Sequence, residues 1–256
     1  MSWASWDPAP LVLAPAAVAL WRFSYGFLRL RRRGRTDRAG WDRAALFGAG
    51  LALAVVPLVS PLDAEAERHL SAHMLQHVLV GDAAPALLVL SLRGPLLAFV
   101  LPAAVGGLAG RVERLPVSAV AALWAIAVGG WHVPAAYEAA LAHGIVHDLE
   151  HASFVAAGLA LWTQLVDPAR RRRSSTGGRL ALAGCVFVLG QVLADVLLLA
   201  GPLYPAYAAA ADQQLAGLVM MVEQTVALGA FAAFALRETL APTASRRRPG
   251  RLAATA

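Results

Sequence analysis

The chain has no lysine, one cysteine and little charge of either sign. Each scarcity excludes something. A lone cysteine, Cys185, rules out an intrachain disulfide and any Cys-x-x-Cys metal or redox motif. It lies inside an apolar run, where helix packing is its simplest role. Charged residues are 15% of the 256 and hydrophobic ones 59%, with mean hydropathy +0.59. A soluble domain would be about a quarter charged and about half apolar. The formal charge of +6 would suit a nucleic-acid binder. However, the arginines fall in short clusters between apolar runs, which argues for topology signals and contacts with anionic membrane lipids and against nucleic acid. No basic region precedes the first apolar run. Arginines follow it, so a span is expected there rather than a cleaved signal peptide.

The chain is instead rich in long uncharged runs, each near the roughly 20 residues a bilayer needs. They predict an all-α polytopic membrane bundle of seven helices, at about 8–29, 42–60, 69–92, 117–133, 145–166, 179–200 and 213–236. Residues 1–240 form one transmembrane domain on this reading, and 241–256 a disordered basic cytoplasmic tail. Arginines then gather on one side: Arg29 to Arg43, Arg93, Arg111 and Arg114, Arg170 to Arg179, and Arg237 to Arg251. The other side receives only Arg68. The positive-inside rule therefore puts the N-terminus outside and the C-terminus in the cytoplasm. The apolar stretch Pro95–Gly110 would break this asymmetry if it crossed, and it carries Pro102 and Gly106-Gly107. It is read as re-entrant or interfacial.

Six of the seven histidines form two ladders, His69-His73-His77 and His143-His147-His151. Four-residue spacing stacks imidazoles one helical turn apart, about 6 Å along the axis. The seventh, His132, ends the fourth span. The topology, deduced from arginines alone, collects all seven at the outer side. Imidazole is the commonest ligand of copper, zinc and iron. On helical geometry His69, His73, Gln76 and His77 share a face and Met74 points away. His143, His147, Glu150, His151 and Phe154 share another, and Asp148 points away. Gln76 and Glu150 are candidates to orient imidazoles. Asp212, Met220 and Glu223 share a stripe of the last helix, and Met220 offers a soft thioether for Cu(I). Plainer roles stand beside these. His69 and His143 are outermost and simply solvated, Met220 packs, Glu223 is interhelical glue, and Asp212 caps the seventh helix.

Three segments carry a resemblance: AHMLQHVLVGDAAPALLVLSLRGP (72–95), WHVPAAYEAALAHGIVHDLEHASFVAAGLALW (131–162) and DQQLAGLVMMVE (212–223). In this order they resemble the Caa3-type CtaG family, seven-span assembly proteins of bacterial cytochrome c oxidase. The resemblance covers roughly 40–240. It implies no enzyme activity, but a role in maturing haem-copper oxidases by supplying copper to the CuB centre of subunit I, at the bacterial plasma membrane. The matching positions are His73, His77, His132, Pro134, Tyr137, His147, Glu150, His151, Asp212, Gly217 and Met220. His69 and His143 match less closely. The expected metal set is therefore His73, His77, His132, His147 and His151. His69, His143, Glu150, Asp212, Met220, Gln76 and Glu223 are additional or supporting candidates, with Cu(I) as the ion.

Two other classes remain open on the residues alone. Paired histidines on neighbouring helices suit bis-histidine haem in a membrane cytochrome, although the cytoplasmic half has no histidine. Three histidines and a carboxylate suit a zinc-dependent intramembrane hydrolase. The chain lacks H-E-x-x-H, and its nearest approach, His147-Asp148-Leu149-Glu150-His151, has a different order.

Overall fold

The computed structural model describes residue 6 and residues 9–101, 103–169, 174–207 and 209–240. The expected tail at 241–256 and Arg170–Arg173 lie outside them. Among the described residues the regular structure is entirely helical.

The chain begins with α1 (Pro10–Arg32) and α2 (Trp41–Val59), joined through a short 3-10 turn at Thr36–Arg38. A six-residue helix, α3 (Pro61–Ala66), turns the chain. Then α4 (Leu70–Val78) runs through a π-helical turn at Leu79–Ala83 into α5 (Ala84–Ser91). The stretch 95–110 forms α6 (Pro95–Val100) and α7 (Ala103–Val112), both too short to cross a bilayer. Next come α8 (Val117–Trp131) and α9 (Pro134–Ala142), bent by 68° at Pro134. The chain ends with α10 (Gly144–Val166), α11 (Thr176–Leu199) and α12 (Ala210–Leu240).

Among the described residues five helical stretches are long and apolar enough to cross a membrane, six if the bent α8–α9 pair is one span. Helix α10 has the length, 23 residues, but it spends its first turns on histidines and carboxylates. Apolar side chains face outward: Leu11, Trp21, Ile126, Val188, Leu199 and Val226 are exposed. The interior instead holds His73, Gln76, His77, Glu150, His151, Gln164, Gln213 and Gln224. Water would penalise that arrangement and lipid favours it, so this is a membrane protein.

The α4–α5 stretch sits among α2, α10 and α12. Its π turn has a local cause. Pro85 has no N–H for the carbonyl of Gly81 four residues earlier, so the α-helical ladder breaks there. At this level α10 comes closest. A Cβ on Gly158 would collide with the Gly81 carbonyl oxygen, and one on Gly81 would lie 3.0 Å from the Phe154 Cβ. Two facing glycines thus let α4–α5 and α10 touch backbone to backbone.

The bundle has two chemically different ends. At one end Gly94 N–H donates to the Pro168 carbonyl (3.3 Å), joining the termini of α5 and α10. Arginines serve open carbonyls near there: Arg43 donates to Arg93 O (2.5 Å), Arg179 to Leu165 O (2.6 Å) and Arg22 to Val100 O (2.7 Å). Cations at helix C-termini also complement the helix dipole. The other end holds the starts of α4 and α10, and the histidines.

Candidate metal centre

Helices α4 and α10 begin alike. His69 is the residue before α4 and His143 the residue before α10, each with extended backbone. Both are exposed. His69 lies 3.9 Å from Glu65 and makes a surface contact. One and two turns further in, the ladders meet. The nearest ligand nitrogens of His73, His77, His147 and His151 all lie within 4.8 Å of one another. The rings form a quadrilateral. Centroids are 4.3 Å apart along each helix, and 5.4 Å (His73–His147) and 5.2 Å (His77–His151) across. His73, His77 and His151 are buried and His147 half-buried.

Hydrogen bonds determine which nitrogens are free. Tyr207 donates its hydroxyl proton to the Ala66 carbonyl (2.7 Å). Burial pushes this phenol up to about 12 and raises Tyr204 as well, so both stay protonated near neutral pH. The Tyr207 oxygen therefore accepts from His73 Nδ1 at 3.0 Å. That leaves His73 Nε2 with a lone pair, 2.8 Å from His77 Nε2. His77 Nδ1, His147 Nε2 and His151 Nε2 are buried with no hydrogen-bond partner, and so are both carboxylate oxygens of Glu150. Glu150 Oε1 lies 3.9 Å from His77 Nε2. Buried polar groups are normally satisfied. So many bare nitrogens beside a buried carboxyl form a donor set for a cation. A tetrahedral ion with bonds of about 2.0 Å holds its nitrogens roughly 3.3 Å apart, so modest side-chain adjustment fits these residues to one ion.

Aromatic rings seal the group. Phe154 lies 4.7 Å from His77 and Tyr137 5.2 Å from His73, and the tilted ring of Tyr204 packs on Tyr137 at 4.2 Å. Tyr204 also donates to the His132 carbonyl (2.8 Å), tying its own stretch of chain to the end of α8. Sequence reasoning reached Tyr137 only through resemblance and missed Tyr204 and Tyr207 altogether. Their signal was faint: two tyrosines three residues apart in a short loop at the histidine level.

The remaining candidates sit elsewhere. His132 is not in the four-histidine group. Its Nδ1 faces the Val128 carbonyl (2.7 Å) and its Nε2 faces Met74 Sδ (3.3 Å). Met74, expected to point away, is fully buried and reaches it. Gln76 also turns from the imidazoles. It donates to Pro57 O (2.9 Å) and Asp63 Oδ1 (2.7 Å). The Pro57 carbonyl needs that donor because Pro61, four residues on, has no N–H. Asp212 caps a helix, but a different one from its own. It accepts from Leu70 N–H (2.6 Å), Ser71 N–H (3.4 Å) and Ser71 Oγ (2.5 Å) at the start of α4. Gly217 lets α12 approach α11, since a Cβ there would lie 2.8 Å from the Ala194 carbonyl. Met220 and Glu223 line a cavity of about 60 Å³ shared with Met74, His77 and His132. Glu223 pairs with Asp82, which also accepts from the Trp162 indole N–H.

One family profile, described as cytochrome c oxidase caa3 assembly factor (Caa3_CtaG), matches residues 21–241. No curated protein and no solved structure matches the chain.

Proposed function

The chain belongs to the cytochrome c oxidase caa3 assembly factor family, and on that premise we propose that it binds copper and delivers it, as Cu(I), to a haem-copper oxidase. The observation that carries this reading is the group of four imidazoles from two helices, within 4.8 Å, in a chain of that family. The recipient is the CuB centre of subunit I. Seven spans fit the role, with α8–α9 as a broken span and α10 as the seventh. The arginine-rich end faces the cytoplasm and the histidine end lies towards the outer face of a bacterial plasma membrane. At that depth the ion passes between proteins without entering bulk water.

His73, His77, His147 and His151 are the ligands on this reading. Tyr207 holds the His73 tautomer, and Glu150 supplies a carboxyl beside the bound cation. The role is binding and transfer rather than catalysis. Four nitrogens close a tetrahedral shell, whereas a catalytic zinc keeps a position for water. Space argues against haem. The cavity beside the histidines is about 60 Å³, while the large one, about 940 Å³, is lined by Arg93, Trp162, Arg179 and Phe231 and by no histidine.

Metal analysis of purified protein after anaerobic Cu(I) exposure tests the reading. Wild type should retain copper, and His73→Ala/His147→Ala should lose the copper held by the four imidazoles and fail to support oxidase maturation. Wild type that retains zinc alone or no metal, or a double variant that still matures the oxidase, overturns it.

A further inference from the structure

The two histidines and two methionines around the small cavity place a second set of soft donors beside the first. A carbonyl oxygen only accepts, so the bond to Val128 requires the proton of a neutral His132 to be on Nδ1. His132 Nε2 is then a bare lone pair, and 3.3 Å away it meets the thioether of Met74, which also has no hydrogen to give. Both residues are buried. Two electron-pair donors facing each other form no hydrogen bond between them. Their separation suits two ligands of one ion, with bonds of about 2.0 Å to nitrogen and about 2.3 Å to sulfur. Met220, a second thioether, lines the same cavity. So does His77, a corner of the four-imidazole group. Asp82 and Glu223 stand on its wall and place carboxyl groups opposite a buried positive charge.

We propose that His132 Nε2 and Met74 Sδ, with Met220 beside them, form a second Cu(I) site, and that His77 is the shared wall across which the ion moves between the two. The proposal rests on the copper reading of the four histidines and extends it. A nitrogen-rich site accepts the ion, and a mixed nitrogen–thioether site beside it holds it with fewer and softer ligands, which favours Cu(I) over Zn. The first site alone is indifferent between those metals.

Full-length protein in detergent, loaded anaerobically with Cu(I), separates the two sites by stoichiometry and by copper K-edge scattering. Wild type should show a sulfur shell near about 2.3 Å and bind a second equivalent of copper. Met74→Leu/Met220→Leu should lose that equivalent and the sulfur shell while keeping a nitrogen-only ion. His147→Ala/His151→Ala should lose the other equivalent and keep the sulfur shell. The wild-type spectrum needs no variant to fold. A nitrogen-only shell in wild type at full loading overturns the second site and leaves the four-histidine reading intact. A sulfur shell with unchanged stoichiometry in the histidine double variant supports the second site and overturns the four-histidine reading. Wild type that binds no copper overturns both.

Discussion

Tyr207 decides the chemistry of its neighbour with one proton. Because its hydroxyl hydrogen goes to Ala66, His73 must donate through Nδ1 and present Nε2 inward. Tyr207→Phe removes that acceptor, and we expect Cu(I) affinity to fall about 10–100-fold, the usual cost of losing a group that orients a ligand. Competition with a chromogenic Cu(I) chelator measures it. The phenol also sets a pH window. Its folded value, about 12, lies above the unfolded value of about 10. The native chain then holds the proton more tightly, so this contribution to stability is complete below pH about 10 and is lost as pH rises towards 12. Phenolate absorbance near neutral pH in folded protein would contradict the protonated Tyr207 on which the tautomer argument depends.

Among elements, the start of α4 depends on a residue 142 positions away along the chain. His69 occupies the capping position but makes no side-chain cap, and Asp212 supplies it from α12. Asp212→Ala should destabilise the fold by about 0.5–2 kcal/mol, the range for a lost cap. Asp212→Asn should recover part of that in thermal unfolding. The α4–α10 contact depends on Gly158 in a different way. Gly158→Val drives a side chain into the Gly81 carbonyl, with an expected cost of about 1–3 kcal/mol for overpacking. The helices must separate, so copper binding should fall further than melting temperature alone predicts. Unchanged copper stoichiometry in a folded Gly158→Val protein would show that the site does not need this approach.

For the whole molecule the expectation is directional. With Cys185→Ser as background, Arg68→Cys should react with a membrane-impermeant maleimide added outside cells, and Arg114→Cys only after the membrane is opened. The reverse pattern would invert the topology and place the histidines on the cytoplasmic side. Metal removal has a global readout as well. An ion that binds only the folded bundle stabilises it by about 2.7 kcal/mol at a hundredfold excess over Kd. A chelator should therefore lower the melting temperature of copper-loaded wild type by more than that of copper-loaded His73→Ala/His147→Ala, which lacks the four-imidazole site.

Periodicity and composition alone determined a helical membrane protein, the two histidine ladders, and the end of the bundle they occupy. Those are one-dimensional properties: run length, spacing of four, and the placement of arginines along the chain. The pairing of His73 and His77 with His147 and His151 was legible only as a convergence at one level. Which imidazoles share an ion was decided in three dimensions. The Gly81–Gly158 contact sets the distance between α4 and α10, and the Pro134 bend and the Val128 carbonyl turn His132 away to Met74. Gln76 and Asp212 belonged to the right helices but had other work, one serving a carbonyl orphaned by Pro61 and the other capping α4. Face assignments at 100° per residue locate a side chain on its own helix. They carry no information about which neighbouring backbone has an unmet hydrogen bond, and that need is what directed these residues.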